Sequence, residues 1–516
     1  MASLNKFTGT WNKHLAAHLL RRTTYGVDYD TMISFGNKTL DECMNILLAP
    51  LGEPLPPINH NAVDPNVPIG ETWVDKGTSQ GVDGYRNQSL RSWSFELMLK
   101  NNANIREKMT MFWHNHFVIA DINDARYNYI YIKLLRKYAL GNFKQLTKDI
   151  TIDPAMLNYL NGRDNTGQAP NENYARELME LFTLGKGTLA GPGDYTTFTE
   201  DDVKEIARVL TGWIDVRNSL PIKTEFRAGR HDVRAKTLSQ RFGNVTINNA
   251  GADEYKNLID IIFQKEEVGT FIATKIYRWF VQSKIDESTY DNIIIPLAKL
   301  IRDNDYEMLP AIKALLSSEH FYDECIIGAI IKNPIDFLLN PINPFKVQLP
   351  PISDNRSNPY FALNATANAM QMGIFAHPSV AGWSAYYQEP SFYRIWLNAT
   401  SLPARKNYTD ALASVGITVG QFRMQLNVIE VIDKIDNPQN MDAVVDVLNW
   451  ILMPKPLADN QKDVLKGLIN VGNSGNWQTA YTNYKNNPTA ANKTIIVNRL
   501  RIIVVYMMKM PEYHLS

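Results

Sequence analysis

The stretch NENYARELMELFTLG, residues 171–185, sets Glu172, Arg176, Glu177 and Glu180 on one helical segment. At about 100° per residue, Tyr174, Leu178, Leu181 and Phe182 share an apolar sector. Glu177 falls at the edge of that sector, and Glu180 and Arg176 follow beside it, progressively further from the core. Glu177 is therefore expected to be at least half buried. Acid groups held in this way can ligate a cation or move a proton, with Glu180 as the general base. Arg176 would pair a carboxylate or an anionic substrate group. The competing reading is an ion-paired helix face, because Glu172, Arg176 and Glu180 stand at i,i+4 spacing. Asn171 suits the N-cap and Gly185 the C′ position of this helix.

Three further patterns carry candidate metal ligands. In FWHNHF, residues 112–117, His114 and His116 point about 200° apart on a regular helix, so one helix cannot aim both at one ion. His116 shares the stripe of Met109, Phe112 and Trp113, where a ligand and a hydrogen-bonded core histidine are both reasonable. His14 and His18 have the i,i+4 spacing that suits a metal, but Leu-Ala-Ala separates them and the acid of an HExxH motif is missing. In GRHDVRAKT, residues 229–237, His231 and Asp232 offer one imidazole and one carboxylate from a Gly-flanked loop. Asp232 could equally cap a turn. The ligand set for a divalent metal ion would thus be His116, Glu177, His231 and Asp232. Burial of Glu177 beside an apolar face is expensive unless other polar groups meet it. His116, Glu177 and Asp232 are therefore expected to line one cavity, with Arg21 or Arg176 at its wall.

The elements that must position these groups read mostly as helix. WNKHLAAHLLRR follows Thr10, SLRSWSFELMLK and NIREKMTMFWHNHF are amphipathic, and TEDDVKEIARVLTGW begins with Thr199 and Asp202 in capping-box spacing. Residues 222–248 are short, Gly-punctuated and partly alternating, which predicts one or two small hairpins. Residues 50–86 read as a long surface excursion. The fold expected is mainly α, a multi-lobed helical globule with a small β-hairpin insertion. Its divisions are 1–221, carrying the His and Glu motifs; the 222–250 insertion; helical 251–340; an irregular aromatic- and Pro-rich 341–405; and helical 406–516.

Bulk properties exclude several classes. Across 516 residues, 53 Lys and Arg balance 53 Asp and Glu, so no global field draws the chain to nucleic acid or an anionic membrane. Two cysteines rule out a disulfide framework and a four-thiolate zinc site. No apolar run reaches membrane-spanning length, and no export leader is visible at the N-terminus. Walker, Gly-x-Ser-x-Gly, Gly-x-Gly-x-x-Gly and Cys-x-x-Cys patterns are absent.

Taken together and in order, AAHLLRRTTYG, REKMTMFWHNHF, RKYALGNFKQLTKDITIDPAMLNYLNG, NENYARELMELFTLG, TEDDVKEIARVLTGW, HDVRAKT and HPSVAGW resemble the bacterial domain of unknown function 1800 family. The resemblance carries no established activity. It implies that many relatives are exported to the periplasm or cell surface, and that a sulfatase-like protein is a companion. It also adds Arg21, Trp213, Lys236 and Trp383 to the signature, as candidate substrate contacts. A signature written in polar residues on apolar helices suggests a shared buried site or a shared hydrogen-bond network.

Three functions are consistent with these residues. The first is a metal-assisted hydrolase acting on a polymer or glycoconjugate. The second is a non-enzymatic helical scaffold or envelope-assembly protein that binds a companion. The third is a haem or redox protein using His18 or His116 as axial ligand.

Overall fold

Short polar side chains set where the helices begin. In the computed structural model, which describes residues 3–100, 103–352, 358–388, 392–470 and 475–516, Asn12 caps the helix Lys13–Thr23 by accepting from His14 N and Leu15 N. The start lies two residues beyond Thr10, because the Asn12 side chain reaches both free N–H groups. Thr199 and Asp202 form the reciprocal capping box expected of them, at the head of Glu200–Val209.

The helix Arg106–His116 is buried almost all round, including Glu107, Lys108, His114 and His116. An element with no solvent face must pair its charges internally. Glu107 meets Arg136 at 2.9 Å, and Lys108 meets Asp336. The helix is thereby tied to Ala125–Lys137 and to Pro334–Leu339.

The segment around Glu177 is helical but not uniformly α. Asn173–Glu177 is α-helical and Leu178–Thr183 continues it as a π-helix. Leu184 N and Gly185 N both donate to Met179 O at 3.0 Å. Gly185 then ends the helix with φ +73°, as its position predicts. The N-cap position falls on Glu172 rather than Asn171, which lies two residues before the helix and accepts from Asn173 N at 3.0 Å.

All the sheets among the described residues are two-stranded and antiparallel. The expected hairpin region is present, but it starts earlier, at Trp213. Trp213–Val216 pairs with Lys223–Phe226, and Lys236–Thr237 with Thr246–Ile247. The preceding helix stops at Val209 because Gly212, at φ +98°, turns the chain into the strand. Two small hairpins, at 189–195 and 417–424, were not expected. Two other expectations also need correction. Residues 50–86 are anchored to the common core, with Trp73 at 0% exposure and an Arg86–Asp64 ion pair of 2.7 Å fully out of solvent. Residues 341–405 contain a regular helix, Pro359–Ala369.

The ends of the chain share one core. Trp450, on Met441–Leu452, donates its indole N–H to Lys13 O at 2.9 Å, and Lys332 N donates to His514 O at 2.8 Å.

One glycine of the HPSVAGW motif has a packing role. Gly382 has φ +98°, and a Cβ there would lie 2.5 Å from Asn115 Oδ1 and 2.7 Å from Asn115 O. That close approach lets Trp383 N donate to Asn115 Oδ1 at 2.9 Å. Gly382→Ala is expected to destabilise the fold by about 2–3 kcal/mol, through strain and overpacking. Gly467→Ala, on an open helical site, should be neutral or gain up to about 1 kcal/mol. Urea unfolding of the two variants checks the order.

Candidate functional site

The His231–Asp232 loop is the most densely bonded polar site in the signature. His231 Nε2–H donates to Glu254 Oε2 at 3.0 Å. Its Nδ1 lies 2.9 Å from the Thr211 carbonyl and 3.1 Å from the Thr211 hydroxyl. The other Glu254 oxygen is ion-paired with Lys236, and both residues have 0% exposure. Lys236 also donates to Asp232 O. The Asp232 carboxylate accepts from Arg234 Nε and Arg234 N, each at 2.9 Å, and from Arg208 Nε at 2.8 Å. Hydrogen bonds from Arg234 and Arg208 hold its pKa well below the usual carboxylate range.

These partners account for three of the expected site residues. Asp232 already directs its electron pairs at protein donors, and both ring nitrogens of His231 face protein oxygens, those of Glu254 and Thr211. Lys236, expected to touch substrate, lies beneath the surface against Glu254. The sequence did not single out Glu254, because an acid at the start of the helix Glu254–Ile262 is unremarkable in itself.

His116 is the hydrogen-bonded core histidine. Its Nε2–H donates to Phe182 O at 2.9 Å, and its Nδ1 accepts from Lys275 Nζ at 3.2 Å. Lys275 also donates to Leu181 O at 2.8 Å. His116 and Lys275 thus cap the carbonyls at the end of the π-helix. Burial, then the Lys275 charge, holds the His116 imidazole well below its ordinary pKa. Burial also pulls the Lys275 ammonium down to about 7. Lys275 was missed, although it stands between Ile272 and Trp279 on an apolar stripe. His18 is likewise engaged, 3.0 Å from Phe321 O.

In NENYARELMELFTLG the i,i+4 ladder is broken. Arg176 meets Glu172 at 3.3 Å, but turns its guanidinium to both oxygens of Glu200, at 2.9 and 2.8 Å. Glu180 pairs with Lys186 at 3.5 Å. Glu177 is half-buried, as expected, and has no hydrogen-bond or ion-pair partner among the described residues. Burial raises its pKa, and the neighbouring Glu180 charge adds to the shift. Glu177 and Asp121 both act electrostatically on the phenol of Tyr159, so these acids share one region.

The other two signature residues are packing groups. Trp383 is 1% exposed and lies 4.0 Å from the His377 ring, so it cannot meet a substrate in this conformation. Trp213 is partly buried and covers the hairpin, against Phe226 and edge-on to Tyr255.

The expected convergence is not observed. His116, Glu177 and Asp232 belong to three separate polar groups with no shared partner. Among the described residues, no group of three or more His, Cys, Asp or Glu side chains is placed to hold a metal ion. The four expected ligands do not fit a common ion, because protein donors and carbonyls already occupy three of them. Arg21 lies at a different place, lining a narrow cavity against the C-terminal helices.

The Asp232 contacts generate a pH prediction. A depressed carboxylate contributes stability fully above its unfolded pKa of about 3.9, and that contribution drains as pH falls below it. Asp232→Asn should be less stable than wild type at pH 7. The gap should begin to narrow below about pH 4 in urea unfolding and keep narrowing as the pH is lowered further. A gap independent of pH would contradict the assignment.

No helix among the described residues is long and apolar enough to cross a membrane. No curated protein and no solved structure matches the chain. The family model described as "Protein of unknown function (DUF1800)" matches residues 18–515. That range takes in every signature segment from His18 to Trp383 and continues through the C-terminal helices, so the chain belongs to the DUF1800 family.

Proposed function

We propose that this chain is a helical scaffold that binds a companion protein, and that its polar signature chiefly cross-links its own elements. The observation that carries this reading is the closed network on Glu254. It joins Arg208, the 231–236 loop and the helix Glu254–Ile262. The docking surface is the acidic region of Glu177 and Glu180. Glu177 has no hydrogen-bond or ion-pair partner of its own among the described residues, and a basic group on a companion would complete it. The sulfatase-like companion suggested by the family resemblance is the first candidate.

A second reading is favoured by the same unpartnered side chain. A half-buried carboxyl with a raised pKa beside a second carboxylate is also the arrangement of a general acid and its base. On that reading Glu177 and Glu180 act as acid and base in hydrolysis of a polymer or glycoconjugate.

Glu177→Gln separates the two. The raised pKa means the ionised form is disfavoured in the fold, so at pH 7 the variant should be as stable as wild type or slightly more so. As a scaffold, the variant loses companion affinity, measured by calorimetry, by about tenfold or more. Release of new chain ends from a polysaccharide, abolished by Glu177→Gln with companion affinity unchanged, would overturn the scaffold reading. So would a stoichiometric divalent ion in the purified protein.

A further inference from the structure

A groove of about 630 Å³ runs along the first turns of the helix Glu266–Phe280, and neither Glu177 nor Glu180 lines it. Its volume falls within the range of ligand sites, roughly 300–1,000 Å³. The floor is one stripe of that helix. Glu266, Thr270 and Thr274 stand at i,i+4 spacing, with Glu267 and Phe271 beside them. At the α-helical rise, the floor from Glu266 to Thr274 is about 12 Å long. Each wall is built on a π-helical segment. Leu184, Gly185 and Gly187 belong to the chain leaving Leu178–Thr183, and Tyr290 and Ile295 to the π-helix Tyr290–Ile294 and the residue after it. The helix Glu266–Phe280 packs against both π-helical segments. Tyr290 is 42% exposed and Ile295 41%, so this wall offers aromatic and apolar surface to a ligand.

The polar side chains of the groove accept rather than donate. Glu266 and Glu267 are carboxylates. Thr270 and Thr274 spend their hydroxyl hydrogens on the helix itself, Thr270 on Glu266 O at 3.5 Å and Thr274 on Thr270 O at 2.8 Å. Their lone pairs remain. Among the lining side chains of the described residues, the Tyr290 hydroxyl is the one donor left. The ligand must therefore bring donors.

Charge narrows the choice. An anion would face two carboxylates. A cation is poorly served, because Glu266 already has Arg302 at 3.9 Å and Glu267 has Lys265 at 3.7 Å. The Lys275 amine also lies over the Phe271 ring, 4.5 Å from its centroid. A neutral peptide brings one carbonyl for every N–H, and a carbonyl turned into the groove finds few donors. A neutral saccharide meets each condition. Its hydroxyls donate to the carboxylates and threonine oxygens, and its C–H faces lie against Tyr290 and Ile295. The hydroxyls turned outward keep their water.

We propose that this groove binds a neutral oligosaccharide, with the Tyr290 ring against a sugar face and Glu267, Thr270 and Thr274 as hydroxyl acceptors. The test titrates the full chain by calorimetry with cellohexaose, maltohexaose, mannohexaose and chitohexaose. Spermine serves as the cationic probe and pentaglycine as the peptide probe. At least one sugar should bind with one-site stoichiometry. Its affinity should hold as sodium chloride is raised, because no ion pair is made. Tyr290→Ala changes an exposed side chain and leaves the fold intact, and it should weaken sugar binding about tenfold or more. Glu267→Gln keeps the shape but removes the charged acceptor, and should weaken binding severalfold. Failure of all four sugars to bind would overturn the proposal. So would sugar binding unchanged in Tyr290→Ala, which would place the sugar elsewhere on the chain. Binding of spermine or pentaglycine that Tyr290→Ala abolishes would give the groove to another class of ligand and overturn it as well.

Discussion

The buried ion pair between Lys236 and Glu254 constrains much of the rest of the structure. Neither residue is exposed to solvent. Desolvating both charges costs several kcal/mol per ion before their attraction is counted, so the pair persists only if further hydrogen bonds complete it. His231 Nε2 and Ala250 N supply the second Glu254 oxygen, and Asp232 O supplies Lys236. Those partners oblige the 231–236 loop, the helix Glu254–Ile262 and Thr211 to meet at one point. Asp232, facing the other way, then engages Arg208 and Arg234. The loop before NENYARELMELFTLG is drawn in as well. Gly167 N donates to Arg230 O at 2.7 Å, and a Cβ on Gly167 would sit 2.9 Å from Asp232 N. Signature segments far apart in sequence are thus joined by backbone contacts that leave no room for side chains.

A second constraint acts at the other end of that segment. The π-helical turn Leu178–Thr183 presents carbonyls that no helical N–H answers, and π turns recur at sites with a special role. Here the role is structural. Phe182 O and Leu181 O are answered by His116 and Lys275, which brings the helix Arg106–His116 and the helix Glu266–Phe280 together over the same carbonyls. Polar groups without partners are found elsewhere. Glu177 lies half-buried with none of its own, and donors on Arg21, Arg405 and Tyr513 are buried near the C-terminus with none among the described residues.

Much of the local structure was legible in the sequence, because the signals are local. The Thr199–Asp202 capping box, the terminating Gly185 and the half-burial of Glu177 all follow from spacing within a few residues. The π turn was not legible, since an apolar stripe drawn at α-helical spacing tolerates one widened turn. The strand at Trp213 was hidden because TEDDVKEIARVL runs into it without a break other than Gly212. Site partners were the least legible part. Lys275 and Lys332 are each set among apolar residues, a visible sign of something buried, but the sequence could not say that one would cap a π-helix and the other an Arg-lined cavity. His231 and Asp232 were read as convergent ligands because their types permit it. Glu254, Arg208 and Arg234 decide otherwise through contacts that only the folded chain makes.

The central claim is that the polar signature is a set of mutual cross-links organised on the Lys236–Glu254 pair. A double-mutant cycle of Lys236→Met and Glu254→Gln measures it most directly. Each single change strands a buried partner and should cost about 3–5 kcal/mol, whereas the double change removes both charges and should cost far less than the sum. A coupling energy of about 2 kcal/mol or more is the predicted result. Additive single effects, or singles that leave stability untouched, would contradict the account.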